Sequence, residues 1–230
     1  MNEKSWLGNN WQLGAYLSGM ILSAQFILLS FAAMLFYPGG YSFYTDPLSA
    51  LGFTRVSGES NLISSILFNP SMFLVGVGVI ILFIALLPFF SNTLIEKWFS
   101  ISGTIFAVFS GIAMCGAAVT PGDIHFEAHV AFAPYTFLFG ILMVFFYSVP
   151  MFLNEEYPNR YAGAAIIYVI LMVIFLALLF VGPSYDTPEG AMFQTTTQKF
   201  AIYTEIITLI ILSYGAWMLQ RSKMTQSDTE

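Results

Sequence analysis

Both histidines of the chain, His125 and His129, fall in one stretch, Thr120-Pro-Gly-Asp-Ile-His-Phe-Glu-Ala-His-Val130, together with Asp123 and Glu127. On a helix, four-residue spacing puts His125 and His129 on one face. That geometry suits two ligands on one zinc or other divalent metal ion. Asp123 and Glu127 repeat the spacing about 160° around the same helix, so one helix cannot aim all four groups at one ion. A catalytic zinc takes three protein ligands and keeps an open position, and the third would come from Asp46, Asp186 or Glu205. The competing reading is local. Thr120, Pro121 and Asp123 match a capping box, with Thr120 as N-cap and Pro121 at the first helical position, and Glu127 then simply faces water.

Glu205 is the sharpest single residue, an acid inside the apolar run Phe200-Ala-Ile-Tyr-Thr-Glu-Ile-Ile-Thr208. A charge at membrane depth costs a few kcal/mol and by default marks a functional site with a partner to be named. The candidate partners are His129, Arg55 and Lys199, and the first two are favoured because Lys199, six positions away on the same helix, faces elsewhere. The alternatives are a carboxyl that stays protonated or a structural ion pair near the interface. Ser49 is a candidate nucleophile with His129 as its base, although no Gly-x-Ser-x-Gly elbow supplies an oxyanion hole. Asp46 and Ser49 otherwise read as turn and cap residues, and Asn69, beside Pro70, as a hydrogen-bonding bridge between helices.

The elements that must carry these residues follow from composition. Of 230 residues, 57% are hydrophobic and 9% charged, against about 25% charged in a soluble domain, so lipid is the solvent for most side chains. The net charge of −6 excludes a basic face for nucleic acid. The one cysteine, Cys115, cannot close an intrachain disulfide. Six segments meet the criterion of roughly 20 mostly apolar residues for a spanning helix: about 11–36, 62–90, 98–118, 128–153, 161–182 and 198–219. The first reads as a retained helix, because a cleaved signal has a shorter apolar core. Unpaired backbone groups are not tolerated in lipid, so the expectation is all-α: a single six-helix transmembrane bundle over 1–230, without internal repeat.

Six spans put both termini on one side. That side holds Lys4, Lys97, Arg160, Arg221 and Lys223, and the other Arg55 and Lys199, so the positive-inside rule places both termini in the cytoplasm. The outward loops are then about 37–61, 119–127 and 183–197. In the first, Asp46-Pro47 reads as an N-cap followed by proline at the first helical position, with Gly52 ending a short helix. That helix is expected at the membrane surface, with Phe43, Tyr44 and Leu48 partly in the interface. The third, Gly182-Pro-Ser-Tyr-Asp-Thr-Pro-Glu-Gly190, is rich in turn residues. Pro134 interrupts the fourth span and frees the carbonyl of Val130.

The order of short motifs is also suggestive: Ser49-Ala-Leu-Gly52, then Phe68-Asn69 opening the second span, then Pro121-x-Asp123 followed by His129, then Gln198-Lys199 opening the last span. In this the chain resembles the family catalogued as domain of unknown function 998, six-span proteins of archaea and bacteria, and is distantly similar to the DRAM-like membrane proteins. The resemblance covers nearly the whole chain. It implies a six-helix bundle and maps the family's polar positions to Ser49, Asn69, Pro121, Asp123, His129 and Lys199. It carries no activity, and it leaves out His125 and Glu127. The ceramidase and adiponectin-receptor group also places serine, aspartate and histidines in a bundle, but this chain lacks a third histidine.

Asp46, Ser49, Asp123, His129 and Glu205 are therefore expected to converge beneath the first loop, with Arg55, Asn69, Glu127 and Lys199 around them. The leading expectation is a multi-pass protein of the cell membrane that binds or organises a lipid or other amphiphile at the outer leaflet. A lipid hydrolase using a metal or His129 comes second. A proton-coupled carrier using Glu205 comes third, although carriers usually show broken helices in related halves. An accessory subunit of a membrane complex comes fourth, and a homo-oligomer is compatible with any of these.

Overall fold

The computed structural model describes residues 3–227, with side chains for 11–225. Six long helices make up most of it: α1 (Glu3–Leu35), α2 (Leu62–Leu86), α3 (Leu94–Val119), α4 (Phe126–Leu153), α5 (Asn159–Val181) and α6 (Pro188–Ser227). Each contains a stretch long and apolar enough to cross a membrane. The chain is a multi-pass, all-α membrane protein. Every helix packs against its neighbours in sequence, and α6 closes the bundle by packing on α1. Short links dictate this for every consecutive pair from α2 to α6, whereas a long segment joins α1 to α2.

Small residues set the closest crossing. A Cβ on Gly76 of α2 would lie 2.7 Å from the Gly111 carbonyl oxygen of α3, and one on Gly111 would lie 2.5 Å from the Gly76 carbonyl oxygen. The two backbones touch there, as close helix packing in lipid requires. At the end of the bundle that carries the termini, a 3₁₀ turn over Leu87–Phe89 leaves α2 carbonyls without helical donors. Tyr16 of α1 donates its hydroxyl to the Ala85 carbonyl at 2.8 Å. Tyr147 of α4 donates to the Phe83 carbonyl at 2.9 Å.

Helix ends depart from expectation where caps decide them. α3 starts at Leu94, not at about 98, because Thr93 and Glu96 form a capping box: the Thr93 hydroxyl accepts from the Glu96 amide at 3.1 Å, and the Glu96 carboxylate accepts from the Thr93 amide at 3.4 Å. The expected box at Thr120 does not form. Thr120 is the C-cap of α3 and donates its hydroxyl to the Gly116 carbonyl at 2.7 Å, while α4 begins at Phe126 with His125 as its N-cap. α6 starts at Pro188, about three turns before the expected 198. The Thr187 hydroxyl accepts from the Gly190 amide at 3.1 Å, so most of the expected loop 183–197 is helix.

The segment between α1 and α2 is the elaborated one. It holds a 3₁₀ helix, Leu48–Gly52, and a two-stranded hairpin pairing Arg55 with Ser60 and Val56 with Glu59. Ser57 and Gly58 form the two-residue turn, both with positive φ, 51° and 86°, as a type I′ hairpin needs. Leu48 of the short helix does not face an interface as expected: it and Leu51 are fully buried against the bundle. Asp46 does not cap it; its carboxylate accepts from the Ser42 amide. Three α2 side chains hold the 3₁₀ helix down. The Asn61 amide nitrogen donates to the carbonyls of Ala50, Leu51 and Phe53, the Ser64 hydroxyl to that of Leu51, and the Asn69 amide to that of Gly52. Asn69 thus bridges α2 to this plug, not to another span.

Candidate functional site

The buried plug roofs a cavity enclosed by α1, α2, α3, α4 and α6. Apolar side chains line most of it, among them Phe26, Phe68, Met72, Met114 and Ile202. Its polar wall carries Ser49 from the 3₁₀ helix, His129 and Thr136 from α4, and Gln198 and Glu205 from α6. Gln198 and Glu205 are about two helical turns, roughly 10 Å, apart along one face of α6. The empty space among the lining atoms is about 600 Å³, part of it open to the outside.

Each polar group has a definite environment. His129 Nδ1 lies 2.9 Å from the Thr120 carbonyl oxygen. A carbonyl only accepts, so Nδ1 carries the proton and Nε2 is left as an acceptor when the ring is neutral. Thr136 donates its hydroxyl back to the Ala133 carbonyl at 2.8 Å. Glu205 is 2% exposed, and its Oε1 has no hydrogen-bond partner. That oxygen and the Tyr168 hydroxyl lie 2.7 and 2.9 Å from where a Cβ on Gly140 would sit. The missing side chain at Gly140 makes room for both. The Tyr168 hydroxyl is itself buried without a partner, as is Gln198 Oε1.

Three of the five residues expected to converge, Ser49, His129 and Glu205, do so around this cavity. Asp46 and Asp123 do not line it. Asp46 stands beside Lys199, which is fully buried and donates its ammonium to the Asp46 backbone carbonyl. The same ammonium lies 5.3 Å from the Tyr41 ring centroid and 5.1 Å from that of Phe43, a cation held by two aromatic faces. Burial, with Tyr203, Asp46 and Tyr37 adding, pushes the Tyr41 phenol above its ordinary value, and its hydroxyl donates to the same Asp46 carbonyl at 2.9 Å.

Asp123 holds the hairpin. Its Oδ2 accepts from the Thr54 amide at 2.9 Å, the Thr54 hydroxyl at 2.6 Å and the Arg55 amide at 3.0 Å. Partial burial would raise its pKa, but these hydrogen bonds outweigh that and hold the carboxyl below the usual carboxylate range. Arg55 is exposed on the hairpin, so it is not the partner of Glu205. His129 shares the cavity with Glu205 without a hydrogen bond to it. Among the described residues the ion pair is Lys223 with Glu156, at the other end of the molecule.

His125 and Glu127 are exposed, and His125 precedes the helix that carries His129. Asp186 is engaged with the Ser184 hydroxyl at 2.7 Å. No group of three or more His, Cys, Asp or Glu among the described residues is placed to hold one metal ion. Of the candidate ligands His125, His129 and Asp46, His129 lines the cavity and the other two do not.

Two residues at the site are not singled out by the sequence: Gln198, on the wall, is marked only by standing beside Lys199, and Tyr168, behind Glu205, only by being a tyrosine within an apolar span. The chain matches no family model, no curated protein and no solved structure.

Proposed function

We propose that the protein binds an amphiphile in this cavity, with an apolar chain among Phe26, Phe68, Met72, Met114 and Ile202 and a polar end at Ser49, His129, Gln198 and Glu205. The observation that carries the reading is that one cavity joins an apolar lining to a polar wall that includes a buried acid. Pockets for small amphiphilic ligands have this composition, mostly apolar with a few placed polar groups. Met72 and Met114 are unbranched and adapt to irregular shapes.

On the count of Lys and Arg at the two ends, the plugged end faces outward, the termini are cytoplasmic, and the amphiphile is drawn from the outer leaflet of the cell membrane. The resemblance to the domain of unknown function 998 family belongs to the same reading, since Ser49 and His129 are among its polar positions. The test is native mass spectrometry of protein purified in mild detergent. About one bound amphiphile per chain is expected, and Ala133→Phe, which fills the cavity, should remove it while the helical circular dichroism stays intact. Protein that carries no bound amphiphile, or a filled variant that carries as much as the wild type, overturns the proposal.

A second reading rests on Ser49 and His129 lining one cavity. It makes Ser49 a nucleophile toward the polar end of a bound lipid, and stoichiometric labelling of Ser49 by a fluorophosphonate would put it first.

A further inference from the structure

The polar wall has a chemical sense. Its ionisable groups are one acid, Glu205, and one histidine; no Lys or Arg lines the cavity. Lys199, on the same helix, is held away by the Asp46 carbonyl and two aromatic rings. Among the groups still wanting partners, the Glu205 carboxyl, Gln198 and the His129 ring present acceptors, while the Tyr168 hydroxyl behind Glu205 is a buried donor without one. Glu205 Oε1 and Gln198 Oε1 are buried without a donor, and His129 offers Nε2 because Nδ1 faces the Thr120 carbonyl. A buried acceptor without a donor costs free energy until a ligand supplies one, and a buried carboxylate is stabilised most by an opposite charge that also donates.

We infer that the amphiphile carries a protonated amine at its polar end, and that Glu205 receives it. The inference rests on the proposed amphiphile site and names the class of its ligand. A protonated primary amine has three donors and no acceptor, so it offers Glu205 both a donor and the opposite charge that no other side chain of the wall supplies. A fatty carboxylate would instead face the acid at close range in apolar surroundings, where like charges repel strongly. A neutral alcohol brings one donor and no charge.

The experiment compares three single-chain probes of equal length, dodecylamine, dodecanol and lauric acid. Binding is measured by equilibrium dialysis to the full chain in zwitterionic nanodiscs, against empty nanodiscs at neutral pH. The expected result is one saturable site that takes dodecylamine at least about ten-fold more tightly than the other two, a difference of roughly 1.4 kcal/mol. Glu205→Gln should erase the preference and leave dodecanol binding in place. Equal binding of all three probes to the wild type would overturn the amine assignment and leave the amphiphile site standing. No saturable binding of any probe would overturn both. A preference for dodecylamine that survives Glu205→Gln would overturn the role of Glu205. Should Glu205→Gln fail to fold, Glu205→Met decides in its place: a lost amine preference supports the assignment, and a preserved one contradicts it.

Discussion

At Asp123 the sequence pattern and the physical role diverge. The residue stands where a capping acid would stand, yet its carboxylate ties the hairpin of the α1–α2 segment to the α3–α4 turn through Thr54 and Arg55. Its pKa is depressed in the folded protein, so the stabilisation it gives is complete above the unfolded value, about 4. It is lost as pH falls through the folded value. The protection factors of the Thr54 and Arg55 amides, measured against the intrinsic exchange rate at each pH, should therefore fall below about pH 4. Asp123→Asn should lower their protection at neutral pH by about 1 kcal/mol, the ordinary worth of such bonds at a solvated site. Protection unchanged in the variant would contradict this role. Glu205 was legible for a different reason: an acid in an apolar run is costly wherever it points, so its position alone marks it. Thr120 misled because Thr-Pro-x-Asp fits an N-cap, and nothing local to it says that α3 has not yet ended. Only the hydroxyl bond back to Gly116 decides that.

Helices were legible at their middles and less so at their ends. Length and apolarity fix the spans, because lipid admits little else. Their ends depend on single hydrogen bonds, as at Thr93 with Glu96 and at Thr187 with Gly190. The cavity itself was not legible, because it arises where five helices and a buried 3₁₀ turn meet and no local pattern encodes that meeting. The mutual approach of α2 and α3 at Gly76 and Gly111 gives a prediction at this scale. Gly111→Val puts branched carbon into the Gly76 carbonyl, and overpacking of this kind costs about 1–3 kcal/mol. Unfolding in mixed micelles should show a loss of that size, whereas Gly163→Ala, which meets nothing within 4 Å, should change little.

In the whole molecule, a ring of sequence-adjacent helices closes α6 onto α1 and leaves an interior cavity under the plug. The Asn61, Ser64 and Asn69 side chains fix the plug to α2, so Ser49 is set over the cavity by the scaffold and not by a free loop. α5 contributes mainly from behind, through Tyr168 at Gly140 and Glu205, and its other face is broadly exposed at Ile167, Ile170 and Val173, as a lipid-facing helix should be. That contrast between an inner apolar lining and an outer apolar face allows the central claim to be tested in one measurement. A single-chain amine bearing a photoactivatable diazirine is crosslinked to the protein in nanodiscs, and the labelled peptides are mapped. An amphiphile held in the cavity labels Met72, Met114 or Ile202, and excess unlabelled dodecylamine suppresses that label. Labelling confined to outer-face residues such as Ile167 and Ile170, and indifferent to competitor, would contradict it.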